Sequence, residues 1–267
     1  MKNDLFALEE SSGRSYLWAA LGGLFVIGVV AAAAAWVLLR PAGLDKRFCP
    51  PSGPAGQIVL LVDRTDPLSF TQKQAFEGLL DRLVARRVPA GYLLSVFVLG
   101  EDYKSTPKPV FSECNPGDGA DASEYTANKA HLKKRFEASF REPMLALADQ
   151  LQTTKSAKYS PIFEMLEMTS INGFRKEDVK GPRKLIIVSD MLHNTPEFSM
   201  YRDTPEFASF HESDYGRKMS TNLNDVDVEL DYLINTPRLQ TRRNLKFWED
   251  YFASAGARIV AVTPLEG

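Results

Sequence analysis

Histidine and cysteine are scarce in this chain, with three of the former and two of the latter among 267 residues. His131, His193 and His211 stand far apart and lack the close pairing of a zinc site. Each therefore reads as a surface or internally satisfied histidine, with His193 near enough to Asp190 in sequence to line the same face. A Gly-x-Ser-x-Gly elbow is missing, as is a glycine-rich phosphate loop closing in Lys-Ser/Thr, which removes the commonest serine-hydrolase and nucleotide-binding signatures. Neither sign of charge is in excess: 32 Lys and Arg against 34 Asp and Glu leave a formal net charge of -2 and no reason to expect a nucleic-acid partner. The basic clusters Arg82, Arg86, Arg87 and Arg238, Arg242, Arg243 read as solvated helix faces.

One long hydrophobic run is present. From Tyr16 to Leu39 there are 24 consecutive uncharged residues, bounded by Arg14 and Arg40, with Tyr16, Trp18 and Trp36 near the ends. About 20 apolar residues span a bilayer core and interfacial aromatics anchor the ends, so residues 16–39 are expected to form a transmembrane helix after an N-terminal tail of residues 1–15. The apolar core of a cleaved signal peptide is shorter, ~7 to 15 residues. Lys2 and Arg14 on one flank against Arg40, Lys46 and Arg47 on the other leave orientation undecided by charge.

Residues 40–56 are rich in Pro and Gly and read as a stalk, and residues 57–267 are enough for one domain. The apolar run Ile58 to Val62 predicts a strand that ends at Asp63. Ser69 with Gln72 has the form of a capping box, ahead of Phe76, Leu79, Leu80, Leu83 and Val84 at helical spacing. Further strands are predicted at Tyr92–Leu99, at Lys108–Cys114 as a short edge, at Lys184–Ser189, within Asn222–Ile234, and at Arg258–Val262 before Pro264. Helices are predicted over Asn128–Leu151, kinked or interrupted at Pro143, from Ser160 as N-cap with Pro161 as first helical residue, and over Arg242–Ala255. The Gly/Asp-rich segment Asn115–Ala122 is expected to be a solvated loop, since it lacks the ligand order of a calcium-binding hand. His193 to Asn224 forms a long, polar, aromatic-dotted insertion of a length usually functional or disordered. Strands alternating with helices predict an α/β fold with a mostly parallel central sheet and helices on both faces.

Two of these strands end in a single acid, Asp63 and Asp190, and the first is followed by Thr65, Asp66 and Ser69. Hard oxygen ligands at the carboxyl edge of a parallel sheet suit a divalent cation or a polar ligand. Over residues 57–265 the arrangement resembles the von Willebrand factor type A domain, with Asp63 and Thr65 matching its Asp-x-Ser-x-Ser motif, Ser160 its helix-opening Thr, and Asp190 its later strand-final Asp. The resemblance implies a metal-ion-dependent adhesion site holding Mg2+ or another divalent cation, and a protein partner that presents an acidic side chain to it. Pro67 stands where the second Ser of the motif belongs and cannot coordinate. Asp66 and Ser69 are the alternatives for that ligand, although Ser69 reads equally as a helix cap and Asp66 as a turn residue, which leaves a vestigial site as the competing expectation.

In the resembled fold Cys49 precedes the first strand and Cys114 ends an antiparallel edge strand on the same lower side, which implies a disulfide. A disulfide persists in an oxidising compartment, so the domain is expected outside the cytoplasm, periplasmic or extracellular, with the N-terminus inside. The functional expectation is a single-pass, membrane-anchored protein-binding module without a catalytic residue. The alternatives are a phosphate-ester hydrolase using Asp63 and a structural envelope subunit. A phosphatase of the haloacid dehalogenase type would carry its second acid where this chain has Thr65.

Overall fold

The computed structural model describes residues 10–38, 43–102, 107–120, 128–202 and 205–266. The chain divides into two compact units, Met1–Gly43 and Leu44–Gly267. The first contains helix α1, Glu10–Leu38, 29 residues long. Within it side chains are described for Trp18 and for residues 20–35, and Trp18, Leu24 and Phe25 are exposed. At about 1.5 Å per residue that contiguous stretch is shorter than a bilayer core of ~30 Å. Among the described residues no helix is long and apolar enough to cross a membrane. The ends of the predicted span, with Tyr16 and Trp36, lie outside the described side chains.

The second unit is an α/β domain built on a six-stranded sheet. Its strands are β1 (Gly56–Asp63), β2 (Tyr92–Leu99), β3 (Phe111–Cys114), β4 (Arg183–Ser189), β5 (Val226–Ile234) and β6 (Arg258–Glu266). Their order is β3-β2-β1-β4-β5-β6, parallel throughout except for the antiparallel edge strand β3. The mixed α/β class and the mostly parallel sheet are as the sequence and its resemblance imply. All eight residues of β1 are buried, as a central strand covered on both faces requires. Alternation sends Val59 and Leu61 to one core with Phe97, Leu185, Ile187 and Trp248, and Ile58, Leu60 and Val62 to the other with Phe76, Leu80, Val96 and Ile186.

Helix α2 (Phe70–Arg82) starts at Ser69, whose side chain accepts from Gln72 N–H while Gln72 reaches back to the Ser69 N–H. The capping box is present as predicted. Helix α3 (Lys129–Phe136) and the short α4 (Glu142–Ala146) are joined through a π-helical turn over Glu137–Arg141. The predicted break at Pro143 is thus a widened turn ahead of the proline, which lacks the N–H that an α-helix would use. Helix α5 (Ile162–Thr169) continues into a π turn, Ser170–Arg175, and α8 (Arg242–Ser254) packs Phe247, Trp248, Tyr251 and Phe252 inward.

Several expected boundaries are corrected. Pro161 is the N-cap of α5 and not its first helical residue, and Ser160 pairs with Asn194 in a two-residue bridge in place of capping the helix. Strand β3 begins at Phe111, three residues later than predicted. Strand β6 runs through Pro264 to Glu266, which a sheet tolerates at an edge where the missing N–H leaves no ladder bond unmade. The insertion is not a structureless loop: it carries α6 (Phe207–Glu212) and α7 (Asp214–Lys218), and Met200, Phe210, Met219 and Leu223 are buried in the core that contains Trp248.

Cys49 and Cys114 form a disulfide with a Cα separation of 4.9 Å across 65 residues. Cys114 pairs with Leu93 near the start of β2 and donates its N–H to Arg47 O, so the bridge fastens the segment before β1 to the amino edge of the sheet.

Candidate functional site

Strands β1 and β4 are neighbours, but the chain leaves β1 toward β2 on one side and β4 toward β5 on the other. In an open α/β sheet such a reversal opens a crevice at the carboxyl ends of the two strands. Asp63 ends β1, and the Val62↔Val188 pairing sets it beside Ser189 and Asp190 at the end of β4. The two acids read from the sequence therefore meet at the switch point.

Asp63 is 6% exposed. Its Oδ1 accepts from the Thr65 N–H at 2.9 Å and from the Thr65 hydroxyl at 2.6 Å, and its Oδ2 accepts from the Ser189 hydroxyl at 2.7 Å. Asp190 is 3% exposed, and its Oδ1 accepts from the Leu192 N–H at 2.9 Å. Each acid folds over the amide two residues on, the local bond that makes Asp a turn former. Among the described residues neither carboxylate forms an ion pair with a basic side chain.

The electrostatic consequence is large. Burial raises the Asp63 pKa, and the hydroxyl and amide donors of Thr65 and Ser189 only partly offset it. Burial raises Asp190 well above the usual carboxylate range, and the charge of Asp63 adds to the effect. The charge of half-buried Asp66 acts on both acids in the same direction. Tyr201, from the insertion, is also held upward, first by burial and then by Asp190, Asp66 and Asp63.

The remaining predicted residues fall as follows. Ser160 is 7% exposed and its hydroxyl is buried without a hydrogen-bond partner among the described residues. Two backbone ties bring its loop to the switch point: Ala157 N–H donates to Thr65 O, and Ser160 exchanges both backbone bonds with Asn194. Pro67 is exposed. The Ser69 hydroxyl is engaged in the capping box of α2. Two carboxylates and the Thr65 and Ser160 hydroxyls are a donor set of the hard-oxygen type that suits Mg2+. Among the described residues no group of three or more His, Cys, Asp or Glu side chains is gathered to hold a metal. Asp63 also makes a poor nucleophile, because it is buried and both its oxygens already accept hydrogen bonds.

Sequence reasoning missed four contributors. Ser189 bridges the two strands, its Oγ donating to Asp63 and accepting from Met191 N–H at 2.9 Å. Met191 sits at φ 54°, a left-handed backbone that costs a non-glycine residue about 1 kcal/mol or more. Trp248 holds that turn by donating from Nε1 to Met191 O at 2.8 Å, and Gln240 donates to Asp190 O at 3.0 Å. The position of Ser189 directly before Asp190 was a legible signal; Trp248 and Gln240 reach the site only through the fold.

His193 is fully buried. Its Nδ1 accepts from the N–H of Ile162 at 3.1 Å and of Phe163 at 3.5 Å, so the imidazole caps α5 where Ser160 was expected to. Burial lowers its pKa to about 3, which keeps the ring neutral and able to accept. Of the two expected roles for this histidine, internal satisfaction is the one observed.

No protein-family model matches the sequence, and no curated protein matches it. The chain is similar in structure to the VWA domain of SpRpn10, at 8% identity and a TM-score of 0.40, with 80% of this chain and 88% of that one covered. It is also similar to the human COPII-coat protein Sec24c, at 10% identity and a TM-score of 0.38; there 82% of this chain covers 31% of the other, so it spans about a third of that protein.

Proposed function

We propose that this protein is a membrane-anchored protein-binding module whose contact face is the carboxyl edge of the sheet, and whose recognition runs through a divalent cation held by Asp63, Thr65, Ser160 and Asp190, with Asp66 beside them. The observation that supports this most is the pair of buried carboxylates at the β1/β4 switch point, with no basic side chain paired to either among the described residues. Two such groups are costly to hold charged side by side, and a bound cation is the ordinary remedy. The buried Ser160 hydroxyl, unpartnered among the described residues, would supply a further oxygen. When bound, the ion would supply positive charge and an open coordination position for an acidic side chain of the partner, as the resemblance implies. Helix α1 would be the anchor, its uncharged run carrying the domain at the bilayer surface.

A second reading has its own observation. Thr65 and Ser189 already satisfy both oxygens of Asp63, and Pro67 replaces a motif ligand. On that reading the site is vestigial and the domain is a structural envelope subunit.

Thermal unfolding of the full chain in detergent separates the two. If the site is live, millimolar Mg2+, Mn2+ or Ca2+ raises the melting temperature relative to chelator, by an amount set by mass action: about 2.7 kcal/mol at a hundredfold excess over Kd. Asp63→Ala removes that increment. Identical melting with and without all three cations would sink the cation reading and leave the vestigial one.

A further inference from the structure

One side chain joins the loop after β4 both to the start of α5 and to the insertion. His193 stands three residues beyond Asp190, and its Nδ1 accepts from the N–H groups of Ile162, which also donates to Ser160 O at 3.0 Å, and Phe163 at the start of helix α5. The next residue, Asn194, pairs through its backbone with Ser160 on one side and Ser199 on the other. Because Nδ1 accepts, the proton of the neutral ring resides on Nε2. That N–H faces the Tyr215 oxygen at 3.0 Å and the Thr195 hydroxyl at 3.3 Å. The Tyr215 hydroxyl in turn donates to Glu164 Oε1 at 2.9 Å, back on α5. Tyr215 belongs to the insertion, on α7, and lines a cavity of about 400 Å³ together with Glu164, Glu197 and Lys218.

We infer that His193 is a positioning residue for the cation site: by capping α5 and leading into the Asn194–Ser160 pairing it fixes Ser160 relative to Asp190, and through Tyr215 it links that setting to the insertion. The inference rests on the cation reading proposed above. Its physical basis is that a helix start with unmet N–H groups frays. A frayed α5 start would loosen Ser160, which is held through its backbone by Asn194 and whose hydroxyl has no hydrogen-bond partner among the described residues. Outer hydrogen-bond partners of a metal site typically govern about 10- to 100-fold in affinity. The insertion thereby becomes part of the site's support.

The test separates the two ring nitrogens. His193→Asn leaves an acceptor close to where Nδ1 stood and loses the Tyr215 contact, whereas His193→Gln favours the opposite. The full chain in detergent is titrated with Mn2+ alone, and the half-saturating concentration is read from the melting shift. Expected are a rise of about tenfold for His193→Gln and His193→Ala, and a smaller rise for His193→Asn and for Tyr215→Phe. A wild-type chain with no Mn2+ shift overturns the cation reading and, with it, this inference. A wild-type response that His193→Gln and His193→Asn weaken equally, or not at all, overturns the inference alone. Should the His193 variants fail to melt cooperatively in chelator, Tyr215→Phe decides, since it removes one oxygen from a partly exposed residue; an unchanged midpoint there overturns the link to the insertion.

Discussion

At the scale of single residues, Asp190 carries the most consequence, because its environment asks a buried carboxylate to ionise beside another. Raised affinity for protons means the folded chain holds protons that the unfolded chain releases, so the pair's contribution to stability falls as pH rises from about 4 through the folded-state values. Asp190→Asn removes one charge at almost constant shape. In chelator it is expected to raise the melting temperature, and to do so more at pH 8 than at pH 5, while abolishing any cation response. An equal effect at the two pH values would mean that burial and the neighbouring Asp63 do not raise the Asp190 pKa. His193 has the opposite sign. Its pKa of about 3 lies below that of an unfolded histidine, so its contribution is complete above about pH 6.5 and is lost as pH falls from there toward 3. Comparing Asp190→Asn with the parent at each pH cancels this histidine background.

Among the elements, α2 and α5 make an instructive pair because both begin at the carboxyl edge of the sheet. Helix α2 is capped from its own sequence by Ser69 and Gln72, a local device visible three residues apart. Helix α5 has Pro161 at its N-cap without a side-chain bond from it, and draws its acceptor from His193, some thirty residues away. Ser69→Ala therefore tests whether Ser69 is cap or ligand. As a cap it costs about 0.5 to 2 kcal/mol, equally with and without cation. A loss confined to the cation-bound state would instead make Ser69 a ligand. Phe163, in the first turn of α5, is fully buried among the rings of His193, Phe210, Trp248 and Tyr251. Its truncation, Phe163→Ala, is expected to cost about 3 to 5 kcal/mol by urea unfolding. A cost below 1 kcal/mol would show that the insertion and α8 do not pack on α5 as described.

At the largest scale, the Cys49–Cys114 bridge lies within the second unit and closes a loop containing β1, α2, β2 and β3. In the chain-entropy model a loop of this size contributes roughly 4 kcal/mol, and the bond persists in oxidising compartments. We expect that blocking free thiols in intact membranes and then reducing exposes both cysteines as newly reactive, placing the domain outside the cytoplasm. Two thiols labelled without reductant would remove the basis for that orientation. Replacing both cysteines with serine should lower stability by a few kcal/mol without changing the sheet, since the bridge closes its lower edge and the carboxylate site stands at the upper one.

What the sequence determined by itself was local. Near-continuous apolar runs marked β1, β2 and β4, the Ser69–Gln72 spacing marked the start of α2, and two strand-final acids marked the chemistry. Interactions within a few residues suffice for each of these. Tertiary structure alone decided which strands became neighbours and so brought Asp63 and Asp190 to one crevice. It also replaced Ser160 with His193 as the cap of α5, packed Phe207 and Phe210 of the insertion against Phe247 of α8, and set Trp248 against the strained turn at Met191. Each of those contacts joins residues at least thirty apart, where burial in a shared core, and not backbone preference, chooses the partner.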